Sequence, residues 1–182
     1  MTQTLERAKR LSRILRHAVL ALGVIVSAVA LGALYYSIMD PGIVARLLRE
    51  RFGAFAPVDI GALQLVLFMA LLLLQTAPLL MALYFLWRVF GAIASSGGVD
   101  GATALLVRSA GIWFGAAASA MLVSTPLSSL IASIGALPGH RFLSIGFETQ
   151  HLLAVLLSAV LVTLGHVLAL AADIADDNRL IV

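Results

Sequence analysis

The sequence contains no cysteine. Disulfide-stapled secreted folds, iron–sulfur clusters held by thiolates and thiol nucleophiles are therefore excluded. Charged side chains are also scarce, since Lys, Arg, Asp and Glu make up 12% of the 182 residues while hydrophobic residues make up 62%. A chain this apolar has too few polar residues to form the surface of a soluble domain. No residues remain for a large soluble catalytic domain. The composition is typical of an integral membrane protein.

Short motifs that carry chemistry are missing as well. The sequence has no Gly-x-Ser-x-Gly nucleophile turn, phosphate-binding loop, dinucleotide fingerprint or HExxH zinc signature. Asp40, Asp59 and Glu148 lie in predicted loops at one membrane face, where acidic residues are far more often solvated surface charges than a catalytic pair. We therefore expect no enzymatic activity.

The four histidines do not have the spacing of a haem or metal site. His151 and His166 are 15 residues apart, which in a helix places them about 22 Å apart along the axis and about 60° apart around it. His17 is predicted at the membrane edge and His166 more than a turn inside, so these two differ in depth and do not suit one haem. We expect no cofactor and no metal, with His166 a buried polar contact between helices.

Four uncharged runs are long enough to cross a bilayer. They cover residues 17–39, 60–87, 109–140 and 152–172, each at or above the roughly 20 residues that span ~30 Å of hydrocarbon. The sequence therefore predicts an all-α integral membrane four-helix bundle. It is a single transmembrane domain over 1–182, with the lipid bilayer as its first partner and spans at about 18–39, 61–87, 109–135 and 152–172.

A basic tail before an apolar run is also the pattern of a cleaved secretory signal, and Ala28-Val29-Ala30 fits a cleavage site. The apolar run continues to Met39, well beyond a signal core of roughly 7–15 residues. It ends near Tyr35 and Tyr36, where interfacial aromatic anchors belong. A membrane span is therefore the favoured interpretation.

Basic residues favour a cytoplasmic position for both termini. Of the 12 Lys and Arg, five lie in the N-terminal tail, two in the 88–108 connection and one in the C-terminal tail, against four in the 40–59 and 140–151 loops. This excess follows the positive-inside rule. Residues 4–17 also have the apolar spacing of a helix that lies along an anionic inner leaflet, although a topology signal alone is the favoured interpretation. No nucleic-acid-binding fold accompanies the tail, so no direct nucleic-acid contact is expected.

Two connecting segments are recognisable. Asp40-Pro41-Gly42 is a turn signal, and the residues after it predict a short amphipathic helix over about 43–52 on the outer face. Residues 95–101, Ser-Ser-Gly-Gly-Val-Asp-Gly, have little apolar area and free backbone rotation, which predicts a flexible connection between spans two and three.

Spans two and three are each interrupted by a proline at mid-membrane depth. Because a proline removes a backbone donor, both spans are predicted to kink and to turn the freed carbonyls inward. One interpretation is a midplane site for a small molecule or ion, as in transporters with broken helices. The other, which we favour, is that the hydroxyls satisfy their own helices, because no buried charge accompanies the kinks. The candidate midplane residues are Gln75, Thr76, Pro78, Ser124, Thr125 and Pro126.

Small residues recur at four-residue spacing along the spans. Such faces let helix backbones approach closely, which predicts compact packing, and one of them is a candidate contact with a second copy in a homo-oligomer. The pairs are Ala28 with Gly32, Gly111 with Gly115, Ala154 with Ser158, and Gly165 with Ala169.

Three segments resemble the bacterial membrane family known as domain of unknown function 2975. They are Leu-Trp-Arg-Val-Phe-Gly-Ala-Ile-Ala at 86–94, Leu-Leu-Val-Arg-Ser-Ala-Gly at 105–111, and the ending Ala-Ala-Asp-Ile-Ala-Asp-Asp-Asn-Arg-Leu-Ile-Val at 171–182. With the order of four spans, the resemblance covers nearly the whole chain. Where the family loop usually has Pro-Phe and a more basic stretch, this chain has Gly98-Val99-Asp100.

The resemblance implies a multi-pass protein of the bacterial inner membrane, and it carries no established activity. It also implies a cytoplasmic protein partner, because members are often encoded beside a small helix-turn-helix regulator. We therefore expect a regulatory or interaction module; the alternative is a carrier or binder of a small molecule or ion that uses the midplane residues. The candidate docking residues for the cytoplasmic partner are Asp173, Asp176, Asp177, Leu180, Ile181 and Val182.

Overall fold

A computed structural model describes residues 2–53, 60–96, 100–134, 141–146 and 149–180. This part of the chain forms helices and no strand, which confirms the all-α prediction, and four of the helices are long and apolar enough to cross a membrane. The five helices are α1 (Thr2–Met39), α2 (Pro41–Phe52), α3 (Ala62–Ser96), α4 (Gly101–Ala132) and α5 (Thr149–Leu180).

The N-terminal tail and the first span form one continuous helix, α1. Neither proline nor glycine occurs before Gly23, so nothing in the sequence breaks the helix where the tail would turn along the membrane surface. The 38 residues of α1 correspond to about 57 Å, nearly twice the hydrocarbon thickness. The first turns of α1 are therefore expected to lie outside the hydrocarbon of the bilayer.

A capped turn separates α1 from α2. The side chain of Asp40 accepts a hydrogen bond from the Gly42 N–H at 3.0 Å, and Pro41 occupies the first turn, where its missing N–H costs nothing. Arg46 then reaches back to Asp40 with its guanidinium nitrogen 2.8 Å from the carboxylate oxygen. The predicted surface helix over 43–52 corresponds to α2, which begins two residues earlier because of this cap.

The helix α4 begins eight residues before the predicted span start at Ser109. Asp100 caps it, since one carboxylate oxygen accepts from the Thr103 N–H at 2.8 Å and from the Thr103 hydroxyl at 2.6 Å. These charge-assisted bonds hold the pKa of Asp100 below its ordinary value. The predicted flexible connection over 95–101 is therefore shorter than expected, because residues 95, 96 and 101 are helical. Residues 97–99 lie outside the described residues.

The long helices pack antiparallel in an open row. α1 packs on α3, α3 on α4, and α4 on α5, whereas α1 and α5 share at most a marginal contact among the described residues. Within one chain the helices therefore do not close into the ring expected of a four-helix bundle. α4 has a neighbour on both sides and buries more of its length than the other three long helices.

The antiparallel packing gives the molecule two ends. At one end, which we call the tail end, Arg16 of α1 lies against Trp87 and Gly91 of α3, and Arg108 of α4 lies against Gly165 of α5. The opposite end, which we call the loop end, carries α2 and residues 141–146. The start of α1, the connection from α3 to α4 and the end of α5 therefore all lie at the tail end.

Candidate functional site

Hydroxyl groups of the two proline motifs bond within their own helices. The Thr76 hydroxyl donates to the Leu72 carbonyl at 2.9 Å, and the Ser124 hydroxyl donates to the Met121 carbonyl at 2.7 Å. Pro78 and Pro126 lie inside continuous helices. Local bonding of this kind satisfies polar groups in a membrane helix without creating a binding site.

Thr125 faces the loop end rather than the proline motif of α3. Its hydroxyl accepts a hydrogen bond from an Arg51 guanidinium nitrogen at 2.7 Å. Its methyl group would lie 3.7 Å from a Cβ atom added at Gly146. The side chain of Gln75, by contrast, makes no hydrogen bond to any described residue. The cavity beside residues 141–143 and the two cavities along α1 and α3 are lined by none of the six candidate midplane residues.

A hydrogen-bond network at the loop end fixes the connection between α4 and α5. Buried Ser129 accepts from the Ser144 N–H at 3.0 Å, and Ser133 accepts from the Phe142 N–H at 3.2 Å. The ring of Phe142 also packs on that of Phe52, with centroids 5.2 Å apart. The network thus attaches residues 141–146 to α4 and α2, and it uses serines that the sequence analysis did not single out.

Buried Gln64 joins α3 to the end of α4. Its amide nitrogen lies 3.1 Å from the carbonyl oxygens of Ile131 and Ile134 and 3.3 Å from that of Ala132, while its amide oxygen accepts from the Gly61 N–H at 2.9 Å. The last carbonyls of a helix have no partner within the helix. Gln64 therefore satisfies groups that would be costly to leave unpaired in a membrane protein.

The α4–α5 interface is built on small residues. A Cβ atom at Gly111 would lie 2.8 Å from the Val162 backbone nitrogen, and one at Gly165 would lie 2.7 Å from the Arg108 nitrogen. The Ser158 hydroxyl donates across the interface to the Gly111 carbonyl at 2.9 Å. The predicted close packing therefore occurs on this face, whereas a Cβ atom at Gly32 of α1 would meet nothing within 4 Å.

The expectation that His166 is a buried contact between helices is wrong, because its side chain is exposed. Gly165 takes the position against α4, and the next residue lies about 100° further round the helix. His151 is the buried histidine of α5. Among the described residues, no three side chains of the types that ligate metals are grouped together.

The candidate docking residues lie at the tail end of α5. Asp173 is exposed on this helix, and the backbone of Asp176, Asp177 and Leu180 continues it. The side chains of those three residues, together with Ile181 and Val182, lie outside the described part of the chain. At the opposite edge of the row, the first turns of α1 present exposed Arg7, Arg10 and Arg13.

Comparisons of the chain with protein-family models, with curated proteins and with solved structures give no match. The resemblance to domain of unknown function 2975 stays a prediction.

Proposed function

We propose that this chain is a non-enzymatic, multi-pass protein of the bacterial inner membrane that binds a cytoplasmic partner such as a small helix-turn-helix regulator. The observation that supports the proposal is the shared position of three segments at the tail end: the start of α1, the connection from α3 to α4 and the end of α5. The basic excess of these segments favours the cytoplasm as the compartment that they face.

Two of these segments extend beyond what the membrane can bury. α1 has 38 residues and α5 has 32, or about 57 Å and 48 Å of helix against ~30 Å of hydrocarbon. The extension of α1 is basic, and that of α5 begins with exposed Asp173 and Ile174. A partner that contacts both edges of the row would meet charges of opposite sign, which favours one orientation of binding.

The proposal is tested with the full chain in detergent and any small helix-turn-helix regulator that is found encoded beside its gene, co-expressed and measured for affinity. Deletion of Leu180, Ile181 and Val182, or substitution of Asp173, Asp176 and Asp177 by Asn, is expected to weaken binding roughly tenfold or more, because loss of an interface anchor costs at least about 1.4 kcal/mol. The matched control is Glu50→Gln, which removes an acid at the loop end and is expected to leave the affinity unchanged.

The proposal fails if the regulator does not bind the unaltered chain, or if the tail variants and Glu50→Gln bind it equally. The carrier alternative has less support, since the hydroxyls of Thr76 and Ser124 donate within their own helices and Thr125 is bonded to Arg51.

A further inference from the structure

An apolar groove runs along the seam between α1 and α3. It encloses about 230 Å³ and is lined only by apolar and aromatic side chains. Leu20 and Tyr84 are about half-exposed along it, at 50% and 46%. The lining residues are Val19, Leu20, Leu80, Leu83, Tyr84 and Trp87.

A cationic cavity of about 400 Å³ continues this groove at the tail end. Arg16 and Arg88 line it together with Ser95 and Trp87, and the Arg16 guanidinium carbon lies 4.5 Å from the centre of the Trp87 ring. Gly91 leaves room for that guanidinium, since a Cβ atom there would already lie 3.4 Å from its carbon. No described carboxylate lies within ion-pair distance of either arginine.

The groove and the cavity form one continuous surface. Trp87 lines both, and on α1 Arg16 and Leu20 are four residues apart and so lie on the same face. On α3 the lining extends from Leu80 to Ser95, which is about 22 Å of helix. The surface thus changes from apolar to cationic over a length comparable with one leaflet of a bilayer.

We propose that this surface binds an anionic phospholipid, with the phosphate between Arg16 and Arg88 and one acyl chain along the groove beneath Trp87. Two arginines that have no acidic partner among the described residues attract anionic headgroups when they lie at a membrane surface. A free phosphate ion would use the cavity alone, whereas the adjoining apolar groove accounts for a chain attached to the headgroup. The inference requires the chain to lie in a bilayer but does not depend on the proposed cytoplasmic partner.

Trp87 supplies a direct readout of the bound lipid. In a Trp113→Phe background it is the one remaining tryptophan, and phospholipids with brominated chains quench tryptophan on contact. The protein is reconstituted in phosphatidylcholine bilayers that contain either brominated phosphatidylglycerol or brominated phosphatidylcholine at equal mole fraction. We expect a preference for phosphatidylglycerol on the order of 25-fold, since each of the two arginines contributes about fivefold.

Paired variants separate the site from general attraction to a basic protein. Arg16→Gln with Arg88→Gln is expected to abolish the preference, and the two Lys substitutions at the same positions are expected to keep most of it. Arg7→Gln with Arg10→Gln removes the same charge from α1 outside the groove and is expected to change the preference by less than about twofold. Thermal unfolding in detergent reports whether each variant keeps the fold.

Equal quenching by the two brominated lipids would overturn the proposal. So would a preference that survives in Arg16→Gln with Arg88→Gln, or one that falls equally in the Arg7 and Arg10 control. Addition of excess inorganic phosphate at constant ionic strength is expected to leave the preference for phosphatidylglycerol unchanged. Loss of that preference on addition of phosphate would assign the cavity to a soluble anion instead.

Discussion

At the scale of single residues, the interface between α4 and α5 depends on the absence of side chains. Gly111 and Gly165 each approach backbone atoms of the partner helix more closely than a Cβ atom would allow. Association of helices in lipid relies on packing and on bonds between helices, so loss of this approach removes a main source of stability.

Gly165→Ala is expected to destabilise the protein by about 1–3 kcal/mol, because the new methyl group would press on the Arg108 backbone, which cannot rotate away. Gly32→Ala is the matched control. It introduces the same methyl group where nothing lies within 4 Å, so the higher helix propensity of alanine makes it neutral or stabilising by up to about 1 kcal/mol. Thermal unfolding in detergent measures both, and equal shifts would contradict this description of the interface.

Asp100 gives the start of α4 a defined pH dependence. Its hydrogen bonds to Thr103 lower its pKa from the ordinary 3.8, so the charged cap stabilises the folded state fully above that value and loses its contribution as the pH falls through the lowered pKa. Asp100→Asn is therefore expected to unfold at a lower temperature than the parent chain at neutral pH. The difference should vanish well below pH 3.8, and a difference that grows on acidification would contradict the assignment.

At the scale of helices, the number and type of the long elements follow from the sequence alone. Runs of uncharged residues at 17–39 and 152–172 leave only a membrane-length helix as a way to satisfy their backbone groups. The residues at which these helices begin and end are harder to predict from the sequence, because they depend on local capping. The early start of α4 has a sequence signal in Asp100 followed by Thr103, which favours an N-cap, although the glycines beside it indicate a linker.

The contacts that assemble the helices could not be predicted in the same way. Arg51 and Thr125 are 74 positions apart, and no periodicity links them. Gln64 resembles Gln75 in the sequence, as both are amides in the same apolar span, yet Gln64 is the one that reaches carbonyls of α4. Which of the two amides bonds to a neighbouring helix depends on how α3 and α4 are aligned along each other. A single sequence does not show that alignment.

Gln64→Leu is expected to cost about 1–3 kcal/mol, because it removes the amide donor that Gln64 supplies to the carbonyls of Ile131, Ala132 and Ile134. Gln75→Leu is the same substitution in the same helix at a side chain with no hydrogen bond to a described residue, so it is expected to change stability by less than about 0.5 kcal/mol. Unfolding in detergent compares the two. A larger loss for Gln75→Leu would contradict the assignment of the structural role to Gln64.

At the scale of the whole molecule, the open row leaves α1 and α5 as edges. Among the described residues, each of these helices packs extensively on one long neighbour and exposes apolar side chains around most of its surface, such as Val29 at 67% and Leu170 at 62%. Exposed apolar area of this extent suits lipid or a second copy of the chain, not water. The tail end collects the segments assigned to the cytoplasm, and the loop end collects α2 and the hydrogen-bonded connection.

The central claim is that the bilayer separates these two ends, with both termini on the cytoplasmic side. Because the chain has no cysteine, single cysteines report their compartment without background. In spheroplasts treated with a membrane-impermeant maleimide, Thr4→Cys and Asn178→Cys are expected to stay unlabelled until the membrane is permeabilised, while Glu50→Cys labels at once. Labelling of only one of the two terminal positions in intact spheroplasts, or protection of Glu50→Cys, would contradict the account.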